Sequence, residues 1–143
     1  MLIKNISEIV LIVQDVPAAA RFYREVVGLQ PQMELSEDWA WFWVGEPDNS
    51  QRIALHKGPL LFEEHSPLPE GARWGQVHFA FEVPRTQLEE ATTHVREQGV
   101  ELYGPTYFDW MKAKSYYSYD LDGNLLEFWS PDPVEEYGST SGV

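Results

Sequence analysis

Apolar residues follow two rhythms along this chain. Residues 8–13, EIVLIV, form a short apolar run rich in β-branched side chains, which predicts a strand. Over 16–27 the spacing changes: Ala20, Phe22, Tyr23, Val26 and Val27 recur at helical intervals. Asp15 is suited to cap that helix, Pro17 to its first turn and Gly28 to its stop. Three further strands are predicted at 32–35, 39–44 and 52–56. Ser36, Glu37 and Asp38 separate the first two, and GEPDNS at 45–50 separates the second from the third.

After a Pro- and Gly-containing connection over about 58–74, the order begins again. VHFAFEV at 77–83 alternates like a strand. Thr86 is the expected cap of a helix running through Gln98, with Leu88, Ala91 and Val95 on one stripe and Gly99 at its end. Strands are predicted at 101–103, 115–119 and 125–129, with DLDGN at 120–124 as the hairpin turn before the last. The chain therefore reads βαβββ twice. Setting Glu8 on His78 puts Val13 on Val83; aligning the last strands puts Ala54 on Glu127, Leu55 on Phe128 and His56 on Trp129.

The length of 143 residues suits one domain, or two small halves sharing a core. The absence of cysteine excludes disulfides, thiolate metal sites and a Cys nucleophile. A net charge of -13 repels phosphate backbones, and no Lys/Arg cluster counters it, so nucleic acid is not an expected partner. No apolar run approaches the roughly 18–20 residues of a membrane span, and the N-terminus lacks the pattern of a signal peptide. The expected location is the cytoplasm.

Polar residues inside apolar strands carry the candidate chemistry. Glu127 sits within GNLLEFW, where an ionised carboxylate is costly unless paired or bound. His78 interrupts V-H-F-A-F, and Glu8 holds the equivalent place in the first unit. Since side chains two apart share a strand face, Glu8, Val10 and Ile12 face away from Ile9, Leu11 and Val13. His78 and Ala80 likewise face away from Val77, Phe79, Phe81 and Val83.

Two βαβββ units, with LIVQDVPAAARFYREVVGL early and DLDGNLLEFW late, resemble the vicinal oxygen chelate superfamily. That group includes glyoxalase I, methylmalonyl-CoA epimerase, extradiol dioxygenases, and fosfomycin- and bleomycin-resistance proteins. The resemblance spans about residues 5–131 and implies an α+β fold whose two mixed sheets curl around a shared cavity. Unit one is expected over about 5–57, unit two over about 75–131 and a flexible tail over about 134–143. The resemblance also implies one divalent ion, with Glu8, His78 and Glu127 on three metal-ligand positions. The first of these is usually a His in metal-dependent members, so Glu8 departs from the pattern.

A cation would relieve the repulsion of two converging carboxylates. A mixed N/O set suits Zn, Ni, Co, Mn or Fe(II) without choosing among them. The repeat puts Ala54 at the fourth position; a small register shift or bulge would bring in His56, two residues later on the same face. Glu127 and Glu8 are also the candidate catalytic bases. The competing readings are an ion pair of Glu127 with Lys114 or Arg52, a rim position for His78, a solvated Glu8 and a pocket-lining His56. His65 and His94 read as surface residues, and turn chemistry accounts for Asp120 and Asp122.

Trp39, Trp41 and Trp43 share one strand face, and Tyr117 and Tyr119 share another. If these faces line the cavity, the ligand is aromatic or bulky and partly apolar; otherwise the tryptophans seal a core or a dimer contact. The expected function is metal-dependent catalysis on a small organic molecule through metal chelation and oxyanion stabilisation. The rival is a binding protein that sequesters a drug or metabolite without chemistry. A homodimer is the expected assembly.

Overall fold

The computed structural model describes residues 5–48, 51–58 and 76–134. His65, nearly all of the 58–74 connection and the tail after Val134 lie outside the described residues.

The first repeat comprises β1 (Glu8–Ile12), α1 (Val16–Arg21), β2 (Gln30–Pro31), β3 (Trp39–Trp43) and β4 (Arg52–His56). The Asp15 carboxylate accepts the Ala18 N–H at 3.0 Å, and Pro17 lies in the first turn, as the sequence predicts. Beyond Arg21 the helix widens into π-helical turns over Phe22–Val27. There the Tyr23 carbonyl accepts N–H groups from both Gly28 (3.1 Å) and Leu29 (2.9 Å). Gly28 stops the helix at φ 89, a left-handed conformation that favours a residue without Cβ. The sheet order is β1-β4-β3-β2, with β4 parallel to β1 and antiparallel to β3.

The second repeat comprises β5 (His78–Glu82), α2 (Arg85–Glu97), β6 (Tyr103–Phe108), β7 (Ala113–Tyr119) and β8 (Leu125–Pro131). Its sheet order, β5-β8-β7-β6, reproduces the first. The fold is therefore α+β, with two four-stranded mixed sheets built as βαβββ.

Four local expectations change. The strand predicted at 32–35 is instead the two-residue β2 at Gln30–Pro31, followed by one further bond to β3, from the Gln32 N–H to the Trp41 carbonyl at 2.8 Å. The strand predicted at 101–103 runs instead from Tyr103 to Phe108. A register shift between Tyr103 and Thr106 absorbs Gly104 and Pro105, and β6 is an edge strand, where a missing donor is tolerated. Thr86 is not the helix cap: α2 begins directly after Pro84, without a side-chain cap. The buried stripe of α2 is Leu88, Thr92 and Val95 rather than Leu88, Ala91 and Val95. Thr92 buries because its hydroxyl donates to the Glu89 carbonyl at 3.1 Å.

By packing, the chain divides into two compact units whose bounds differ from the repeat: Met1–Phe79 with Tyr119–Leu125, and Ala80–Ser118 with Leu126–Val143. The turn between β7 and β8 thus belongs with the first unit, and its hydrogen bonds give the reason. Asp120 is buried, and its Oδ1 accepts N–H groups from Asp122 (2.9 Å) and Asn124 (2.8 Å). Its Oδ2 accepts the Asn124 side-chain amide at 2.8 Å and the hydroxyl of fully buried Tyr23 at 2.6 Å. Asp122 adds a bond from the Gln14 N–H at 3.0 Å. The Asp120–Asp122 pair is thus turn chemistry, as expected, and also a tie to the first helix. Around Tyr23 the first unit buries Val16, Phe42 and Leu55 completely.

Candidate metal and ligand site

The two repeats share one register. Arg52 N–H donates to the Ser7 carbonyl (3.1 Å), and Leu125 N–H to the Val77 carbonyl (2.9 Å). At the other strand end, Val13 N–H donates to the His56 carbonyl (2.9 Å), and Val83 N–H to the Trp129 carbonyl (2.8 Å). These bonds equate Val13 with Val83 and His56 with Trp129, so Ala54 is the counterpart of Glu127. The register shift that would bring His56 to that place is absent. β1 and β4 pair Glu8 with Arg52 and Ile12 with His56. Four residues of strand, roughly 13 Å at 3.3 Å each, separate Glu8 from His56.

Glu127 is buried at 7% exposure in the middle of β8. Ser115 Oγ donates to its Oε2 at 2.6 Å, and the Tyr117 hydroxyl also hydrogen-bonds the carboxylate. Burial, then the Glu127 charge and that hydrogen bond, raise the Tyr117 phenol above its ordinary value. Supporting hydroxyls of this kind orient a carboxylate that serves as a ligand or base. Among the described residues, Arg52 pairs with Glu8, and Lys114 is in no ion pair.

His78 is exposed, and its Nδ1 donates to the Leu125 carbonyl at 3.3 Å. A backbone bond to Nδ1 selects the tautomer with its lone pair on Nε2, the arrangement typical of a metal-bound imidazole. Glu8 is already engaged: its Oε1 lies 3.2 Å from Arg52 Nη2. Arg52 is further held by Gln32 Oε1 (3.1 Å) and Ser7 Oγ (3.3 Å). Among the described residues, no three His, Asp or Glu side chains are gathered as a metal-binding group. Taken singly, the side chains of His78 and Glu127 have donor chemistry that suits a divalent ion. At Glu8 it does so only if the carboxylate leaves Arg52, and Ala54 offers no donor.

The tryptophan face is well defined within the first unit. Trp39 and Trp41 stack with ring centroids 4.7 Å apart and planes 7° from parallel. Trp39 also covers His56, ring to ring at 3.8 Å. His56 is buried, and its Nδ1 has no hydrogen-bond partner among the described residues. All three tryptophans are half-buried, while Ala40 and Phe42 on the opposite face are core. Tyr119 is half-exposed, and His94 is exposed as expected. Ser115 as the support of Glu127 and Arg52 as the partner of Glu8 are not expected from the sequence pattern alone. Both stand on strand positions that face these acids, and alternation marks them once the register is known.

The sequence profile of the Glyoxalase/Bleomycin resistance protein/Dioxygenase superfamily matches residues 5–128. The chain is 29% identical over 126 residues to metallothiol transferase FosB of Staphylococcus haemolyticus, covering 88% of this chain and 83% of that protein. Among solved structures, an integron cassette protein from V. Cholerae superposes with a TM-score of 0.68 at 30% identity, covering 91% and 97% of the two chains. A lactoylglutathione lyase from Agrobacterium tumefaciens has the same fold, with a TM-score of 0.69 at 23% identity over 91% and 96%. With matching register in both βαβββ repeats and a family profile that spans nearly the whole length, the chain belongs to the glyoxalase/bleomycin resistance protein/dioxygenase superfamily.

Proposed function

We propose that this protein is a metal-dependent enzyme acting on a small organic substrate that has an aromatic or bulky apolar part. Superfamily membership and the metallothiol transferase relatives support metal dependence in general terms. The observation that carries the reading is Glu127, a buried strand carboxylate oriented by two hydroxyls. In this reading Glu8, His78 and Glu127 hold one divalent ion of the Zn, Ni, Co, Mn or Fe(II) type. When bound, the ion supplies Lewis acidity to chelated substrate oxygens. His56 stays outside the ligand set, and Ala54 leaves the fourth position without a protein donor, so positions remain open for substrate. Glu127, steadied by Ser115 and Tyr117, or Glu8, once released from Arg52, is the group that takes a substrate proton. Trp39, Trp41 and Trp43 offer indole surface to the substrate body, with Tyr117 and Tyr119 as further contacts.

The protein acts in the cytoplasm as a homodimer in this reading. Among the described residues no helix is long and apolar enough to cross a membrane. The test is elemental analysis of untagged protein together with titration by each ion. About one divalent ion per chain is expected, bound about 10-fold or more weakly by Glu127→Gln and by His78→Ala. Binding that both variants retain would remove this site. No binding by the parent would favour the rival, a tryptophan-faced protein that sequesters its ligand without chemistry.

A further inference from the structure

In the second unit a groove of about 470 Å³ runs between α2 and β7, and its charge is opposite to that of the chain. Arg85, Arg96 and Lys114 line it, with one carboxylate, Glu89. The whole chain has 10 Lys and Arg against 23 Asp and Glu, so three cations to one acid reverses the general ratio. The neighbouring face of α2 carries Glu90 and Glu97, and Glu89 lies at the boundary, lining both. The basic character is therefore confined to one side of the helix.

The three cations are not equivalent. Arg85 is committed: it donates to the Ser130 carbonyl at 2.9 Å and pairs with Asp132 at 2.8 Å. Arg96 lies over the Tyr116 ring, 5.6 Å from its centroid, and neither it nor Lys114 forms an ion pair among the described residues. Lys114 and Tyr116 are two apart on β7 and so share a face. Eleven helical residues, roughly 16 Å at 1.5 Å each, separate Arg85 from Arg96. The Arg96–Tyr116–Lys114 end is thus the available one. The Thr93 side chain also lines the groove and offers a hydroxyl donor there. Two unneutralised cations beside a concave surface, in a chain that repels anions elsewhere, form an attractive well for clustered anionic oxygens.

We propose that this groove binds a small polyanion, through Arg96 and Lys114, at a site separate from the carboxylate and tryptophan positions described above. The shared chemistry is several anionic oxygens on one small molecule, whether phosphate or carboxylate. The site does not depend on metal binding. Protein freed of metal on a chelating resin is titrated calorimetrically with inorganic tripolyphosphate and, separately, with citrate, at about 20 mM salt, where screening is weak. Binding of at least one probe at one site per chain is expected, and the tighter probe tells phosphate from carboxylate chemistry. Arg96→Gln and Lys114→Gln should each weaken it about 10-fold or more, as losing a charge-assisted hydrogen bond does. Arg24→Gln, on the other repeat's helix, should leave it unchanged. Lys114→Gln keeps the test informative if loss of the Arg96–Tyr116 contact disturbs folding. Absence of binding by the parent, retention by the Arg96→Gln/Lys114→Gln double variant, or equal loss in Arg24→Gln overturns the proposal.

Discussion

The two repeats have the same strand order and the same ladder, yet their equivalent positions carry different chemistry. Where the second repeat has Glu127, buried and held by Ser115, the first has Ala54, fully buried and without a donor. Where the second has His78 bonded to a backbone carbonyl, the first has Glu8 paired with Arg52. The first repeat instead concentrates aromatic surface, with Trp41 stacked on Trp39 and Trp39 over His56. A duplicated scaffold has thus been divided: one copy retains oriented donors, the other a hydrophobic face. Backbone hydrogen bonds determine the strand positions whatever the side chains are, so each copy can change its chemistry without changing its fold.

The largest effect expected from breaking this comparison is on stability. Asp120 lies in the second repeat by sequence but packs with the first unit, where it accepts the Tyr23 hydroxyl. Asp120→Ala leaves that hydroxyl and several turn N–H groups without an acceptor, at a cost of about 3 kcal/mol or more. Denaturant unfolding measures the loss. Hydrogen exchange should show the first unit loosening before α2. Equal loosening in both units would mean that the turn does not belong to one of them.

The next effect separates the equivalent positions. Glu127→Gln should weaken divalent-ion binding about 10-fold or more, whereas Ala54→Ser should leave it within about 2-fold, since Ala54 supplies no ligand. Isothermal titration with one ion compares the two directly. Comparable losses would mean that Ala54 acts on the site through packing and that the repeats are not divided as described.

A smaller effect concerns the aromatic copy. Stacking on an indole adds roughly 0.5–1.5 kcal/mol beyond area burial, so Trp41→Ala should weaken an aromatic ligand about 2–13-fold from that contribution alone. Quenching of tryptophan fluorescence reports the binding, and the bound ion should be retained. If aromatic binding is unchanged and light scattering shows a split dimer, the tryptophan face is an interface.

The smallest effect is alkaline. Burial, then the Asp120 charge and its hydrogen bond, push the Tyr23 phenol well above its ordinary value; Tyr117 is raised by burial and Glu127. Both folded values lie above the unfolded value of about 10. The stability these phenols contribute is therefore complete below pH 10 and is lost as pH climbs through the folded values. Phenolate absorbance should show fewer tyrosines ionised in native than in urea-unfolded protein at the same pH. Tyr23→Phe should narrow that difference.

Much of this architecture is legible along the chain. Alternation and helical spacing are local, and they place β1, α1 together with its π-helical continuation, β3, β4, β5, α2, β7 and β8 to within about two residues. The repeat alignment, made from pattern alone, pairs Ala54 with Glu127, and the ladder hydrogen bonds reproduce that pairing. The local signals fail where a neighbour overrides them. The strand predicted at 101–103 lies instead at Tyr103–Phe108, since an edge strand tolerates Pro105, a residue without N–H. Ala91 fits the helical stripe, yet Thr92 is the buried residue because its hydroxyl finds a backbone acceptor.

The sequence by itself determined the two-fold repeat and the superfamily, because side-chain alternation and turn chemistry act over a few residues. Tertiary structure alone decided which partner each polar group meets. Glu8 finds Arg52, Glu127 finds Ser115 and Tyr117, and Asp120 finds Tyr23 across 97 positions of chain. Such choices rest on distance in space, and strand register converts sequence separation into distance only after the ladder has formed.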